Sequence, residues 1–115
     1  MDAATFFRAL GDDTRLRCLA LLHAEGELCV CELTHALDLA QPKISRHLGQ
    51  LRQAGVVESH RRGTWMHYRL HPDMPAWARA VLDDWAAGCA DAAPYAEDQR
   101  ALQAMPDRPA NTCCA

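Results

Sequence analysis

Two cysteines separated by a single residue, Cys29 and Cys31, carry the most specific chemistry in this chain. Thiolates are soft ligands that select soft ions such as Cu(I) and, by the same logic, As(III). The leucines that follow, Leu33 and Leu37, have helical spacing and predict a helix whose first turn holds both thiols. The N–H groups and the dipole at the start of a helix favour a thiolate over a thiol. The pair is therefore a candidate ligand set for a soft ion.

The spacing of the two thiols also suggests a conformational switch. Residues two apart do not share a face of a regular helix, so both sulfurs can hold one ion only if the first turn unwinds or twists. We expect this distortion to reach the next helix, because Asp38 and Leu39 connect the two directly. The alternative interpretation is a pair of chance core cysteines. Cys18, which lies among leucines, is expected to be buried and inert.

The stretch from Gln41 to Ala54 predicts a second helix, which ends at Gly55. Its apolar residues Ile44, Leu48 and Leu51 fall on one face. The opposite face is cationic and rich in amides, has no acidic residue, and contains Pro42, Lys43, Arg46, Gly49, Gln50 and Gln53. Such a helix has the chemistry to lie in the major groove of DNA. An ordinary solvated amphipathic helix is the alternative interpretation.

The distribution of charge favours the DNA interpretation. The 115 residues carry a net charge of −3, but the stretch from Gln41 to His71 carries +5 and the remainder −8. A cationic face on an acidic body is typical of proteins that bind phosphate groups. The length suits one small domain with a modest core, so a second subunit would help to cover its apolar residues.

The order of the predicted elements is that of a winged helix-turn-helix protein. Two helices, from Thr5 to Leu10 and from Thr14 to Ala24, precede the thiol-bearing helix. After Gly55, two β-rich runs flank an Arg-Arg-Gly turn and predict a hairpin. This hairpin would be the wing, and its tip would carry Arg61 and Arg62 to phosphates or into the minor groove.

A last helix is expected between Pro75 and Gly88, and its two tryptophans favour a homodimer. The composition after this helix is rich in Ala, Asp and Pro and predicts a loose tail. We therefore expect a mostly α-helical α+β chain with a small β-hairpin. Residues 1–88 would form the DNA-binding and dimerisation domain, and residues 89–115 a flexible tail that carries Cys113 and Cys114.

Other functional classes find little support in the sequence. We find no nucleophile–base–orienter set and no glycine-rich phosphate loop, so we expect no enzymatic activity. A thiol enzyme is disfavoured because such enzymes usually have Cys-x-x-Cys spacing in a βαβ setting. The sequence shows no secretory signal and no membrane-spanning run, which predicts a cytoplasmic protein with reduced cysteines and no membrane partner. We also expect no organic cofactor, and no motif implies a protein partner.

Several of these stretches resemble the arsenical-resistance repressors of the ArsR/SmtB family. The likeness runs from about Phe6 to Gly88 and is carried by Asp12–Leu16, Glu27–Leu33, Gln41–Leu48, Trp65–Leu70 and Pro75–Trp77. The resemblance implies a homodimeric winged-helix repressor that binds double-stranded operator DNA and leaves it when As(III) or Sb(III) binds.

By match to the family's motifs, the inducer thiols would be Cys29 and Cys31. The DNA-reading positions would be Gln41, Lys43, Ser45 and Arg46. To these we add, as candidate DNA contacts, His47 and Gln50 of the same helix and Arg61 and Arg62 of the wing.

The chain departs from that family's pattern at Thr34, where the related repressors carry a third cysteine. Either two thiols suffice or another donor completes the site. Cys113 and Cys114 are candidate donors because a loose tail can fold back, and Cys89 and His35 are weaker ones.

Two other functions of the same fold stay open. One is a Cd(II)- or Pb(II)-type thiolate sensor, in which the vicinal cysteines at the end of the chain replace the N-terminal cysteines of such sensors. The other is a thiol redox sensor.

Overall fold

The computed structural model describes residues 1–106 and residue 108, and this part of the chain contains six α-helices and three short β-strands. The helices are α1 (Ala3–Leu10), α2 (Asp13–Glu25), α3 (Val30–Leu37), α4 (Gln41–Gln53), α5 (Ala76–Cys89) and α6 (Tyr95–Gln103). The strands are β1 (Glu27–Cys29), β2 (Val57–Arg62) and β3 (Trp65–Leu70). The predicted α+β winged helix-turn-helix fold is confirmed. None of the described helices is both long and apolar enough to cross a membrane.

The first two helices begin at aspartate caps. Asp2 accepts a hydrogen bond from the Thr5 N–H at 2.9 Å, and Asp12 accepts one from the Arg15 N–H at 3.0 Å. These bonds satisfy amides that have no partner within the helix. Gly26 ends α2 with a φ of 90°, a conformation that favours glycine. The predicted bounds of α2 are therefore correct to one residue at each end.

The predicted hairpin is confirmed, but the sheet has a third strand that the sequence interpretation missed. β2 pairs antiparallel with β3, and β1 pairs antiparallel with the other edge of β3, giving the order β1-β3-β2. The register opposes Cys29 to His67 and His67 to His60. The sequence pattern predicts that residues 27–29 belong to the start of a helix, and this prediction is wrong. Three residues are too few to show the alternation that identifies a strand.

Helix α4 packs by the stripe that its sequence predicts. Ile44, Leu48 and Leu51 are each 0% exposed and belong to the main core together with residues of α2 and β2. The connection from α3 is short because Asp38 takes a left-handed conformation with a φ of 54°. The apolar stripe therefore fixes which face of α4 is left for solvent.

The expectation of a loose tail after residue 88 is wrong for residues 95–103, which form α6. Leu102 is 0% exposed, and Asp98, 4% exposed, accepts two hydrogen bonds of 2.8 Å from the Arg17 guanidinium of α2. α6 packs on α2 and α3. Ala-rich, acidic sequence looks disordered in composition, and this pairing across 81 residues is not visible in a local pattern.

We predict that Leu102→Ala lowers the free energy of unfolding by ~2–5 kcal/mol, because it leaves a cavity between α6 and the helices beneath it. Urea unfolding followed by circular dichroism measures the change. Gln103→Ala is the matched control, since Gln103 is exposed. Equal stabilities for the two variants would contradict the docking of α6.

Candidate nucleic-acid interface and thiol site

Four predicted DNA-reading residues lie on the solvent side of α4. Gln41, Lys43, Ser45 and Arg46 are all exposed and occupy the first turn and a half of the helix. Their side chains offer amide, ammonium, hydroxyl and guanidinium groups, which are the groups that contact base edges and phosphates. The structure therefore brings these four together on one accessible surface.

His47 does not belong to that surface, so its assignment as a DNA contact is wrong. The residue is 8% exposed, and its Nδ1 lies 3.3 Å from Arg15 Nη1 and 3.7 Å from Asp12 Oδ2. Burial lowers the pKa of His47, which favours the neutral imidazole. The sequence spacing indicates this burial, because position 47 is three residues after Ile44 and lies on the same apolar face of the helix.

Arg15 is a residue that the sequence interpretation did not select. From α2 its guanidinium donates to the backbone carbonyls of Ala9 at 2.6 Å and Arg8 at 3.3 Å. The same group donates from Nη1 to the Gln50 Oε1 of α4 at 2.6 Å. Gln50, a predicted DNA contact, is exposed but has its carbonyl engaged by this bond. Arg15 thus ties the end of α1 to the outer face of α4.

The wing carries both predicted arginines at the end of β2. Arg61 and Arg62 are exposed, and Gly63 makes the turn with a φ of 64°. Arg62 Nη2 lies 3.1 Å from Glu27 Oε2 of β1, so its charge is partly balanced within the sheet. Arg61 is therefore the better placed of the two to reach a phosphate.

The two thiols lie at the junction of β1 and α3, in different environments. Cys29 is the last residue of β1 and the N-cap of α3, with extended φ and ψ of −85° and 162°. Its side chain is 0% exposed, whereas Cys31, in the first turn, is half-buried. The prediction that both thiols lie within the first helical turn is thus wrong for Cys29, which precedes the helix.

Cys29 and Glu32 form a reciprocal capping box at the start of α3. The Cys29 N–H donates to Glu32 Oε1 at 3.0 Å, and the Glu32 N–H faces the Cys29 sulfur. Thr34, at the position of the family's third cysteine, donates its hydroxyl to the Val30 carbonyl at 2.8 Å. The sulfur of Cys29 is therefore part of the helix cap as well as a potential ligand.

A second interaction holds the same carboxylate. Glu32 is 2% exposed, and its Oε2 accepts hydrogen bonds from Arg108 Nε at 2.9 Å and Arg108 Nη2 at 2.7 Å. Arg108 also donates to Glu25 Oε1 at 3.2 Å. These carboxylates raise the pKa of Arg108 against the opposing effect of its burial. A residue beyond α6 therefore lies directly beside the cap of the thiol-bearing helix.

Two histidines extend the row that starts at Cys29. His67 is opposite Cys29 in the register, is 4% exposed, and stacks on His60 with ring centroids 5.8 Å apart. Burial lowers the pKa of His67, and its Nε2 is a buried atom with no hydrogen-bond partner. Among residues 1–106 and 108, no group of three or more His, Cys, Asp or Glu side chains has an arrangement that would hold a metal ion.

The other cysteines and His35 are candidates for further ligands or for core residues, and the structure describes only some of them. Cys18 is 0% exposed, and burial raises its pKa to about 12, as expected of an inert core thiol. Cys89 is half-buried at the end of α5, and His35 is exposed on α3. Cys113 and Cys114, the predicted additional ligands, lie outside the described residues.

A short helix-turn-helix connection, an exposed polar face on its second helix and a basic hairpin define a winged helix-turn-helix protein of the kind that regulates transcription. The family described as "Bacterial regulatory protein, arsR family" matches residues 12–59, from the start of α2 into β2. The chain belongs to this ArsR family.

Two curated relatives support the assignment. The chain is 62% identical over 76 residues to the arsenic resistance transcriptional regulator ArsR1 of Pseudomonas putida, a match that covers 66% of this chain and 59% of that protein. It is 53% identical over 78 residues to the arsenical resistance operon repressor of Escherichia coli, covering 68% of this chain and 67% of the repressor. The match thus spans 59% of the length of ArsR1, which is less than two thirds.

Two solved structures share the fold. HlyU from Vibrio cholerae superimposes with a TM-score of 0.68 at 27% identity, covering 76% of this chain and 91% of HlyU. The AntR antimony-specific transcriptional repressor superimposes with a TM-score of 0.63 at 27% identity, covering 76% of this chain and 77% of AntR.

We predict that Arg15→Gln weakens binding to duplex DNA about tenfold, equivalent to ~1.4 kcal/mol, because α4 loses its charged tie to α1. The duplex is selected from a random pool by the wild-type protein, and fluorescence anisotropy measures its affinity. Arg100→Gln, on the exposed face of α6, is the matched control. Undiminished affinity of the Arg15 variant would show that this tie does not orient the helix.

Proposed function

We propose that this chain is a transcriptional repressor that binds operator DNA as a homodimer and leaves it when As(III) or Sb(III) binds the thiols of Cys29 and Cys31. The observation that carries the proposal is the position of these thiols at the start of α3, which only three residues separate from α4. An ion held there acts on the element directly before the DNA-facing helix. The names of the two curated relatives support a metalloid as the inducer.

The capping box supplies a physical route from the ion to α4. An As–S bond requires the same sulfur of Cys29 that faces the Glu32 N–H, so the ion competes with the helix cap. Loss of an oxygen N-cap costs ~0.5–2 kcal/mol, and a sulfur cap lies at the low end because sulfur is a weaker acceptor. A coupling energy of ~1–3 kcal/mol is typical of an allosteric effector, so we propose that loss of the cap acts together with loss of the buried packing of Cys29.

This route replaces the unwinding that the cysteine spacing suggested. Since Cys29 is extended and lies before the helix, we propose that both sulfurs approach one ion without disruption of the backbone–backbone hydrogen bonds within α3. The required change is instead the withdrawal of the Cys29 side chain from its buried position. The start of α3 then loses its cap and its packing together.

The exchange chemistry is balanced without a further reactant. In arsenous acid, As(OH)₃, each As–S bond forms as an As–O bond breaks, and the thiol proton leaves with the hydroxide as water. Cys29 and Cys31 replace two hydroxyl groups, and we propose that Cys113 or Cys114 replaces the third. The five-residue separation from Arg108 to Cys113 spans at most about 18 Å when extended, which permits that reach.

For the DNA complex, we propose that Gln41, Lys43, Ser45 and Arg46 enter the major groove while the wing arginines contact phosphates. A dimer presents two such helices to two half-sites. Exposed aromatic residues favour a subunit contact through α1 and α5, since Phe7 is 53% exposed and Trp77 is 40% exposed. A cytoplasmic location fits this function and stays a prediction.

We predict that Arg46→Ala abolishes binding to the selected duplex and leaves the dimer intact, because it removes an exposed cation that no core contact requires. Anisotropy titration measures DNA binding, and sedimentation equilibrium measures the dimer. Arg100→Ala, an exposed arginine on α6 away from the proposed DNA and subunit contacts, is the control. Full affinity of the Arg46 variant would remove α4 from the DNA interface.

We predict that Cys29→Ser combined with Cys31→Ser leaves DNA affinity unchanged but prevents release by arsenite, because hydroxyl groups do not replace soft thiolates. Anisotropy of the bound duplex is followed during titration with arsenite. Cys18→Ser, which changes a core thiol, is the matched control and should still respond.

The same assay separates the alternative inducers. Unchanged release by arsenite from the double variant would end the proposal. Release of the wild-type protein by Cd(II) alone would favour a thiolate sensor for divalent ions, and release by peroxide alone would favour a redox sensor.

A further inference from the structure

We infer that Arg108 is a positioning residue for the inducer site: by holding the Glu32 carboxylate, it keeps the helix cap closed and Cys29 out of reach of the ion. This inference rests on the proposed function, because it concerns the accessibility of the same thiol pair. It adds a contact that regulates how easily an ion reaches Cys29, which the thiols themselves do not provide.

The first step of the argument is the geometry of Glu32. One carboxylate oxygen accepts the Cys29 N–H at 3.0 Å, and the other accepts both bonds from Arg108, at 2.9 and 2.7 Å. The carboxylate is thus shared between the cap and the guanidinium. Any displacement of Arg108 changes the position of the group that caps Cys29.

The second step is burial. The side chain of Glu32 is 3% exposed, whereas that of Arg108 is 30% exposed, so the carboxylate depends on the arginine more than the arginine depends on it. A buried charge that loses its partner is strongly unfavourable, and the carboxylate would move towards solvent. Such a movement removes the acceptor of the Cys29 N–H and opens the junction of β1 and α3.

The third step is the origin of Arg108 in the chain. It is 76 residues from Glu32 and follows α6, which packs on α2 and α3. It also contacts Glu25 at the end of α2, and Gln99 of α6 donates to the same Glu25 side chain at 2.7 Å. The docking of α6 therefore places Arg108 beside the cap of α3, so that the position of Arg108 depends on the packing of α6.

The test measures the accessibility of Cys29 without any inducer or DNA. The full chain is treated with iodoacetamide, and tandem mass spectrometry follows alkylation at Cys29 itself, resolved by fragment ions from Cys18 and Cys31 on the same peptide. We expect Arg108→Gln to raise the rate about fivefold, equivalent to ~1 kcal/mol of easier opening. Arg100→Gln, the same substitution on the exposed face of α6, should leave the rate unchanged.

A double-mutant cycle distinguishes the clamp from a general loss of stability. Glu32→Gln keeps an oxygen that can accept the Cys29 N–H but removes the charge that Arg108 pairs with. We expect this variant to raise the alkylation rate as Arg108→Gln does, and the double variant to show no further increase, because both changes break one interaction. Additive increases would overturn the proposal.

Release of DNA provides the functional readout. With Arg108→Gln, we expect the arsenite concentration for half-release to fall about fivefold, since less free energy is needed to open the cap. A rise in that concentration would overturn the clamp and assign Arg108 the opposite role, that of bringing the segment with Cys113 and Cys114 to the ion. If wild-type protein ignores arsenite, the proposed function fails, and the alkylation rates still decide whether Arg108 guards Cys29.

Discussion

One buried carboxylate organises the region on which the proposed switch depends. Glu32 caps Cys29 through one oxygen and holds Arg108 through the other, at the N-terminus of the helix that leads to α4. A negative charge is favoured at that end of a helix. The cap therefore combines a local hydrogen bond, a helix dipole and a long-range ion pair, and a change in any of them alters the environment of the sulfur.

The surface of α4 that we propose to face DNA depends on a different set of contacts. The apolar stripe of α4 fixes its depth, while Arg15 and the inward-facing His47 fix its rotation against α1 and α2. A recognition helix must be held precisely, because base contacts tolerate little displacement. The polar contacts beneath α4 therefore complement the leucines, which define a face but not an exact angle.

The sequence predicted the elements whose patterns are local. α2, α4 and the hairpin follow from caps, apolar spacing and turn residues, and the exposed positions of Lys43 and Arg46 follow from the helical period. β1 was missed because it has three residues, and the environment of Cys29 was missed with it. A strand this short is defined by its partner rather than by its own residues.

The other omissions are long-range. α6 is held by Leu102 and by the Asp98 pair with Arg17, and Arg108 reaches Glu32 from 76 residues away. The sequence after residue 88 has no periodicity that indicates which surface of the protein it packs against, and its composition is typical of a disordered segment. The burial of His47 is different, because it follows from a local pattern. Its helical position places it on the apolar face of α4, although its polar imidazole suggests an exposed DNA contact.

The pairing of β1 with β3 gives the thiol junction two neighbours rather than one. Along the chain, Cys29 is followed by α3 and then by α4. Across the sheet, Cys29 pairs with His67 of β3, which is one strand of the hairpin. A disturbance at this single point therefore reaches both α4 and the hairpin directly. Under the proposed function, the DNA contacts of α4 and those of the hairpin would therefore weaken together.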